Sequence, residues 1–124
     1  MKDLFWIASS KDDLSSFPKA ARYEMGFALE PAQRGGKSPD AKPLTGIKGP
    51  GVLEVVEDLR GDTYRAVYTV KFKDALYVLH AFKKKSKSGI ATPKHHIELI
   101  RDRLKSTEID HAQRYGAKIK GKTS

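Results

Sequence analysis

The chain has 124 residues, which supports one modest hydrophobic core and one domain. Its 39% apolar and 31% charged residues are the makeup of a chain that folds, and the absence of cysteine excludes a disulfide framework, a thiolate nucleophile and a cysteine-ligated zinc. The net charge of +9 is unevenly spread: residues 1–70 are neutral, residues 71–105 carry +7 and residues 106–124 carry +2.

In chain order, Leu4 to Ala8 reads as a short apolar strand and Ser9 to Asp13 as a polar turn. Ser16-Phe17-Pro18 offers a capping hydroxyl and a first-turn proline, and Ala21, Met25, Ala28 and Leu29 then recur at helical spacing. From Pro31 to Pro50 the glycines and prolines predict a long shaped loop without regular structure. Val52–Leu59, Thr63–Val70 and Ala75–Phe82 are rich in Val, Tyr and Leu and predict a three-strand antiparallel meander. Alternation puts Tyr64, Ala66, Tyr68 and Val70 on one face of the second strand and Arg65 on the other; in the third strand it groups Leu76, Val78, His80 and Phe82. Thr92-Pro93 starts a helix whose Ile97, Ile100 and Leu104 can pack on the sheet, and the pattern fades after Lys105. The expectation is an α+β domain over residues 1–106. The basic tail, residues 107–124, frays or extends as helix.

The +7 segment carries Lys83, Lys84, Lys85 and Lys87 in close succession. Such a patch attracts a polyanion and gains free energy by releasing its counterions; the plainer alternative is a solvated basic face. A membrane surface fits less well, because there is no long amphipathic helix. No apolar run reaches the roughly 20 residues that span a bilayer. The first seven residues are too short for a signal peptide, so the cytoplasm is the expected compartment. His95 and His96 are adjacent and point to different sides of a helix, which favours a solvated pair over a shared metal. Gly46 to Gly51 precedes a strand, whereas phosphate-cradling loops follow one, so neither a metal nor a cofactor is expected.

The succession Lys42-Pro-Leu-Thr-Gly46, Gly51-Val-Leu-Glu54, Thr63-Tyr-Arg-Ala-Val-Tyr68, Tyr77-Val-Leu-His-Ala-Phe82-Lys-Lys-Lys85 and Thr92-Pro93 resembles the RelE/ParE toxin superfamily. More narrowly, it resembles the HigB-like branch, the phage-derived toxin proteins. The resemblance covers about residues 4–105 and implies a small twisted antiparallel sheet with N-terminal helices and a C-terminal helix. It also implies the toxin of a bacterial toxin–antitoxin pair, commonly one that cleaves mRNA on the translating ribosome. Its partner would be an antitoxin, a helix-turn-helix protein encoded nearby. Arg65 matches the family's strand arginine, and Lys84 and Lys85 match its basic pair. This chain has Val56 where many relatives have an arginine, and about three extra residues before Thr92. ParE-type relatives act on DNA gyrase, so a gyrase-directed toxin and a non-enzymatic nucleic-acid-binding module stay as alternatives.

Metal-free RNA cleavage by the ribose 2′-hydroxyl needs a proton acceptor, a proton donor and positive charge at the phosphorane. Arg65 offers a planar fork for phosphate oxygens, Lys84 and Lys85 offer point charges, and one lysine of the run could exchange a proton. His80 is the acid/base candidate by intrinsic pKa, with a satisfied core histidine as the equal alternative. Lys83, Lys87, Lys48 and Lys94 are the expected RNA contacts, joined by Tyr68 if its ring stacks on a base and does not belong to the core. Arg65, Lys84 and Lys85 all read as surface charges at the end of a sheet.

Overall fold

The computed structural model describes residues 1–48, 51–85 and 92–116. Its strands are β1 (Asp3–Trp6), β2 (Ala41–Pro43), β3 (Val52–Leu59), β4 (Asp62–Thr69) and β5 (Ala75–Lys85), and its helices α1 (Ser10–Ser15), α2 (Lys19–Gln33) and α3 (Lys94–His111). The five strands form one sheet in the order β1-β5-β4-β3-β2, with β1 parallel to β5 and the other pairings antiparallel. This is an α+β arrangement. The expected meander is present as β3, β4 and β5, and the two residues that turn β3 into β4, Arg60 and Gly61, both have positive φ, 52° and 84°. That backbone matches the twist of the strands it joins.

The sheet is covered on both faces. Leu14, Phe17, Met25, Ala28 and Leu29 from the N-terminal helices pack with Leu53, Val55, Tyr64, Ala66, Tyr68, Leu76 and Val78. On the opposite face Ile97 and Ile100 of α3 pack with Val52, Val67, Tyr77, Leu79 and Phe82. β4 is central, and all of its residues from Thr63 to Thr69 are buried. Alternation along β4 therefore separates two cores, where an open sheet would separate core from solvent.

The structure departs from the sequence expectations in three places. Residues Ser9 to Asp13 are mostly helical: α1 begins at Ser10, whose buried Oγ donates to the Val78 carbonyl at 3.1 Å, and Leu14 is its one buried apolar side chain. One apolar residue leaves no period to read. The second helix continues through Pro31 to Gln33, and Ala32 extends its buried stripe by one more turn before Gly35 takes φ +88°. The loop that follows contains β2, an edge strand whose Pro43 is paired opposite Leu53. Sheet edges tolerate proline because one side of the strand needs no donor. Of the two readings for the start of the tail, helical extension is the one present as far as Gly116: α3 runs to His111 and continues as a π-helical turn, Ala112–Gly116, in which the Tyr115 hydroxyl donates to Asp3 at 2.6 Å. Among the described residues no helix is long and apolar enough to cross a membrane.

Candidate functional site

A register shift in the β4–β5 ladder decides which side chains meet. Tyr68 is paired with Val78, while its neighbour Val67 is paired with His80, so Leu79 is an extra residue on β5. A bulge of this kind reverses the alternation beyond it. Val78 faces α2, Leu79 faces α3, and His80 and Phe82 also lie on the α3 side, in contact with His96. The expected grouping of His80 with Val78 is thereby corrected. The bulge delivers His80 to the face that carries Arg65, since Arg65 is paired with Phe82.

His80 is 7% exposed, and both of its ring nitrogens are engaged. Nε2 lies 2.8 Å from Nδ1 of His96, and Nδ1 lies 3.3 Å from Nη1 of Arg103. Arg103 also donates to the Leu79 carbonyl at 2.9 Å and to Ser9 Oγ at 3.2 Å, and Ser9 in turn donates to Asp13 at 2.7 Å. The Phe82 ring stacks on His96 with centroids 3.9 Å apart and on His80 at 5.0 Å. Burial, reinforced by His96 and Arg103, holds His80 down at about 4, with Asp13 pulling the other way. Burial and the neighbouring His95 lower His96 as well.

The His80 shift gives a stability prediction. The unfolded chain binds a proton near the ordinary value of 6.5, and the native chain only near about 4. Stability from this group is thus complete above pH 6.5 and is lost as pH falls toward about 4. Discounted for solvent screening, the loss should be on the order of 1–2 kcal/mol. Urea midpoints compared at pH 7 and pH 4.5 should show it, and His80→Gln should remove that part of the acid sensitivity.

Arg65 is not the surface charge the sequence suggested. It is 3% exposed, because Thr92 packs against it and α3 covers its face of the sheet. Its Nη1 lies 3.5 Å from Glu54 Oε2 and donates to Thr92 Oγ1 at 3.3 Å, and Thr92 donates to the same Glu54 oxygen at 3.3 Å. Val56, at the position where an arginine was noted in relatives, is paired directly opposite Arg65.

The other candidates separate by depth. Tyr68 is fully buried, burial raises its hydroxyl to about 12, and its ring has no open face for a base: it is a core residue, which corrects the stacking alternative. Lys84 is half-buried and paired with Thr63, on the Arg65 side of the strand by alternation. Lys83 is exposed on the other side, 3.8 Å from Asp62, and borders a cleft of about 530 Å³ shared with Phe17, Tyr64, His80 and Phe82. Lys48 and Lys94 are exposed. Lys85 ends β5 and its side chain lies outside the described residues, as do Lys87 and the additional residues before Thr92. No group of three or more His, Asp or Glu among the described residues is placed to hold a metal ion.

Sequence reading missed His96, Arg103, Glu54 and Thr92 as members of this cluster. A signal existed for two of them: His96, Ile100, Arg103 and Thr107 recur at three- and four-residue intervals, the same stripe that buries Ile100 and Thr107. Treating His95 and His96 as one solvated pair hid it.

Fold and cluster together define a small α+β protein with a buried histidine–arginine network beneath a cationic strand end. The profile of the phage-derived protein Gp49-like family (DUF891) matches residues 12–105, and the chain belongs to that family. This is a toxin-like family related to RelE and HigB. No curated protein matches the chain.

Proposed function

We propose that the protein is the toxin of a type II toxin–antitoxin system and acts as a metal-independent endoribonuclease on ribosome-bound mRNA. The observation that carries the reading is the convergence on one sheet face of Lys84 with the His80–His96 pair, beside a family match to toxin-like proteins. In the reaction the O2′–P bond forms and the P–O5′ bond breaks, leaving a cyclic phosphate and a free 5′-hydroxyl. One proton leaves O2′ and one joins O5′. Lys84 and Lys85 supply charge to the phosphorane, and a lysine of this run gives the proton to O5′ while solvent takes the other. Lys83, Lys48, Lys94 and Lys87 extend the electrostatic footprint, and the antitoxin neutralises the toxin by covering it.

The reading is tested by incubating the purified protein with programmed ribosomes and mapping transcript ends. The expected product is cut mRNA with cyclic phosphate termini, formed in the presence of a chelator. RNA affinity should fall steeply with salt, with a log–log slope that shrinks by about one for each contacting lysine removed. Trapped gyrase–DNA breaks with intact mRNA would replace this reading by the gyrase-directed one.

A further inference from the structure

The hydrogen-bond network around His80 fixes where the protons sit. A guanidinium only donates, so Nη1 of Arg103, 3.3 Å from Nδ1 of His80, requires that nitrogen to be bare. The His80 proton is then on Nε2 and is donated to Nδ1 of His96 across 2.8 Å. His96 in turn has its one proton on Nε2. That nitrogen hydrogen-bonds to no described residue, and the imidazole is half-buried, stacked on Phe82 and tilted against His95 at 4.1 Å.

We propose that His96 is the side chain that meets the scissile phosphate, donating its Nε2–H to a nonbridging oxygen, and that His80 and Arg103 are positioning residues that hold it in this tautomer. The proposal rests on the ribonuclease reading and adds to it the group that contacts the reacting atoms. His80 has neither nitrogen available to RNA, because both are engaged within the network. A neutral imidazole held as a donor stabilises the growing charge of the phosphorane without itself giving up the proton. Protonating His96 would place a second N–H against that of His80, two donors in contact, so the network opposes the imidazolium. Of the charged and titratable groups facing the pair among the described residues, Arg103 and His95 from α3 oppose protonation, and Asp13 from α1 favours it more weakly than Arg103 opposes it. Phe82 supports the ring and, two residues on, Lys84 follows on the same side of β5.

The test combines rates with a direct reading of tautomers on the full-length protein. Long-range proton–nitrogen correlation spectra of histidine-labelled protein at pH 7 should show both His80 and His96 as neutral Nε2–H forms. Arg103→Met should mix the tautomers at both rings. In single-turnover cleavage, His96→Ala should slow the reaction by about 100-fold with RNA binding changed by less than about threefold. His96→Gln, whose amide N–H falls near the Nε2 position, should recover cleavage to within about tenfold of wild type. A His96 that gives up its proton as general acid would instead leave the glutamine variant as slow as the alanine variant, and the wild-type rate would fall as pH rises through the pKa of that imidazolium.

Thermal melts identify any variant that fails to fold, and the spectra of the wild-type protein decide the tautomers independently. An Nδ1–H or doubly protonated His96 at pH 7 overturns the proposal, as does wild-type cleavage by folded His96→Ala. If the wild-type protein cleaves and His96→Ala cleaves equally, this inference alone fails. If the wild-type protein cuts no mRNA while the tautomers are as described, the ribonuclease reading fails and takes the phosphate contact with it.

Discussion

Arg65→Ala is expected to lower stability by about 3–5 kcal/mol, far beyond the half kcal/mol or so of an ordinary surface substitution. The guanidinium is almost completely enclosed, and its removal leaves the Glu54 carboxylate, itself 13% exposed, facing a void, with Thr92 as its one remaining donor among the described residues, at 3.3 Å. An uncompensated buried charge costs more than the lost contact. The effect should be read as a fall in urea midpoint with an unchanged slope. The double variant Arg65→Met/Glu54→Gln tests the cause: with both charges gone, apolar replacement of a buried pair is often close to neutral, and most of the lost stability should return. If the single variant melts like wild type, the burial of Arg65 is wrong. Because Arg65 holds together β3, β4 and the start of α3, loss of cleavage in Arg65→Ala would not identify it as a phosphate contact. Activity is informative only in the stability-restored double variant.

The second large effect falls on catalysis. The double variant Lys84→Ala/Lys85→Ala is expected to reduce single-turnover cleavage by roughly 100-fold or more and to leave the melting temperature close to wild type. The reduction follows from the loss of preorganised positive charge at a phosphorane, where a single donor is worth about a hundredfold. The small cost in stability follows because Lys84 is only half-buried and stands at the end of β5. The expected pattern is a fall in the chemical step larger than the fall in affinity, since interactions made only in the transition state lower the rate without an equal change in binding. Measuring RNA affinity and single-turnover rate on the same preparations separates the two. Equal losses in both would assign the lysines to general electrostatic attraction. Wild-type cleavage by the folded double variant would remove them from the site.

The α+β class, the β3–β4–β5 meander, the helix after Pro18 and the helix after Thr92 were legible because each rests on local signals. β-branched and aromatic runs end at turn residues, apolar side chains recur at helical spacing, and prolines stand at helix starts. Charge was legible in the same way: the lysines of the strand end are consecutive in sequence, so no fold was needed to gather them. α1 and β2 were not legible, because six residues with one buried leucine and three residues on a sheet edge have no period of their own and exist through contact with β5 and β3.

The site itself was decided by two tertiary features. The first is the cover that α3 lays over the second face of the sheet. Alternation correctly separated Arg65 from the tyrosines, but a period of two says only that the faces differ, and whether the second face meets water depends on what packs there. With α3 in place, Arg65 becomes a buried ion-paired residue. The second is the bulge at Leu79. A single extra residue in one strand is invisible to composition and propensity, since it arises from how β5 is paired with β4, yet it reverses the facing of every later side chain. It turns His80 away from Val78 and toward α3, where His96 and Arg103, sixteen and twenty-three residues further along the chain, close around it.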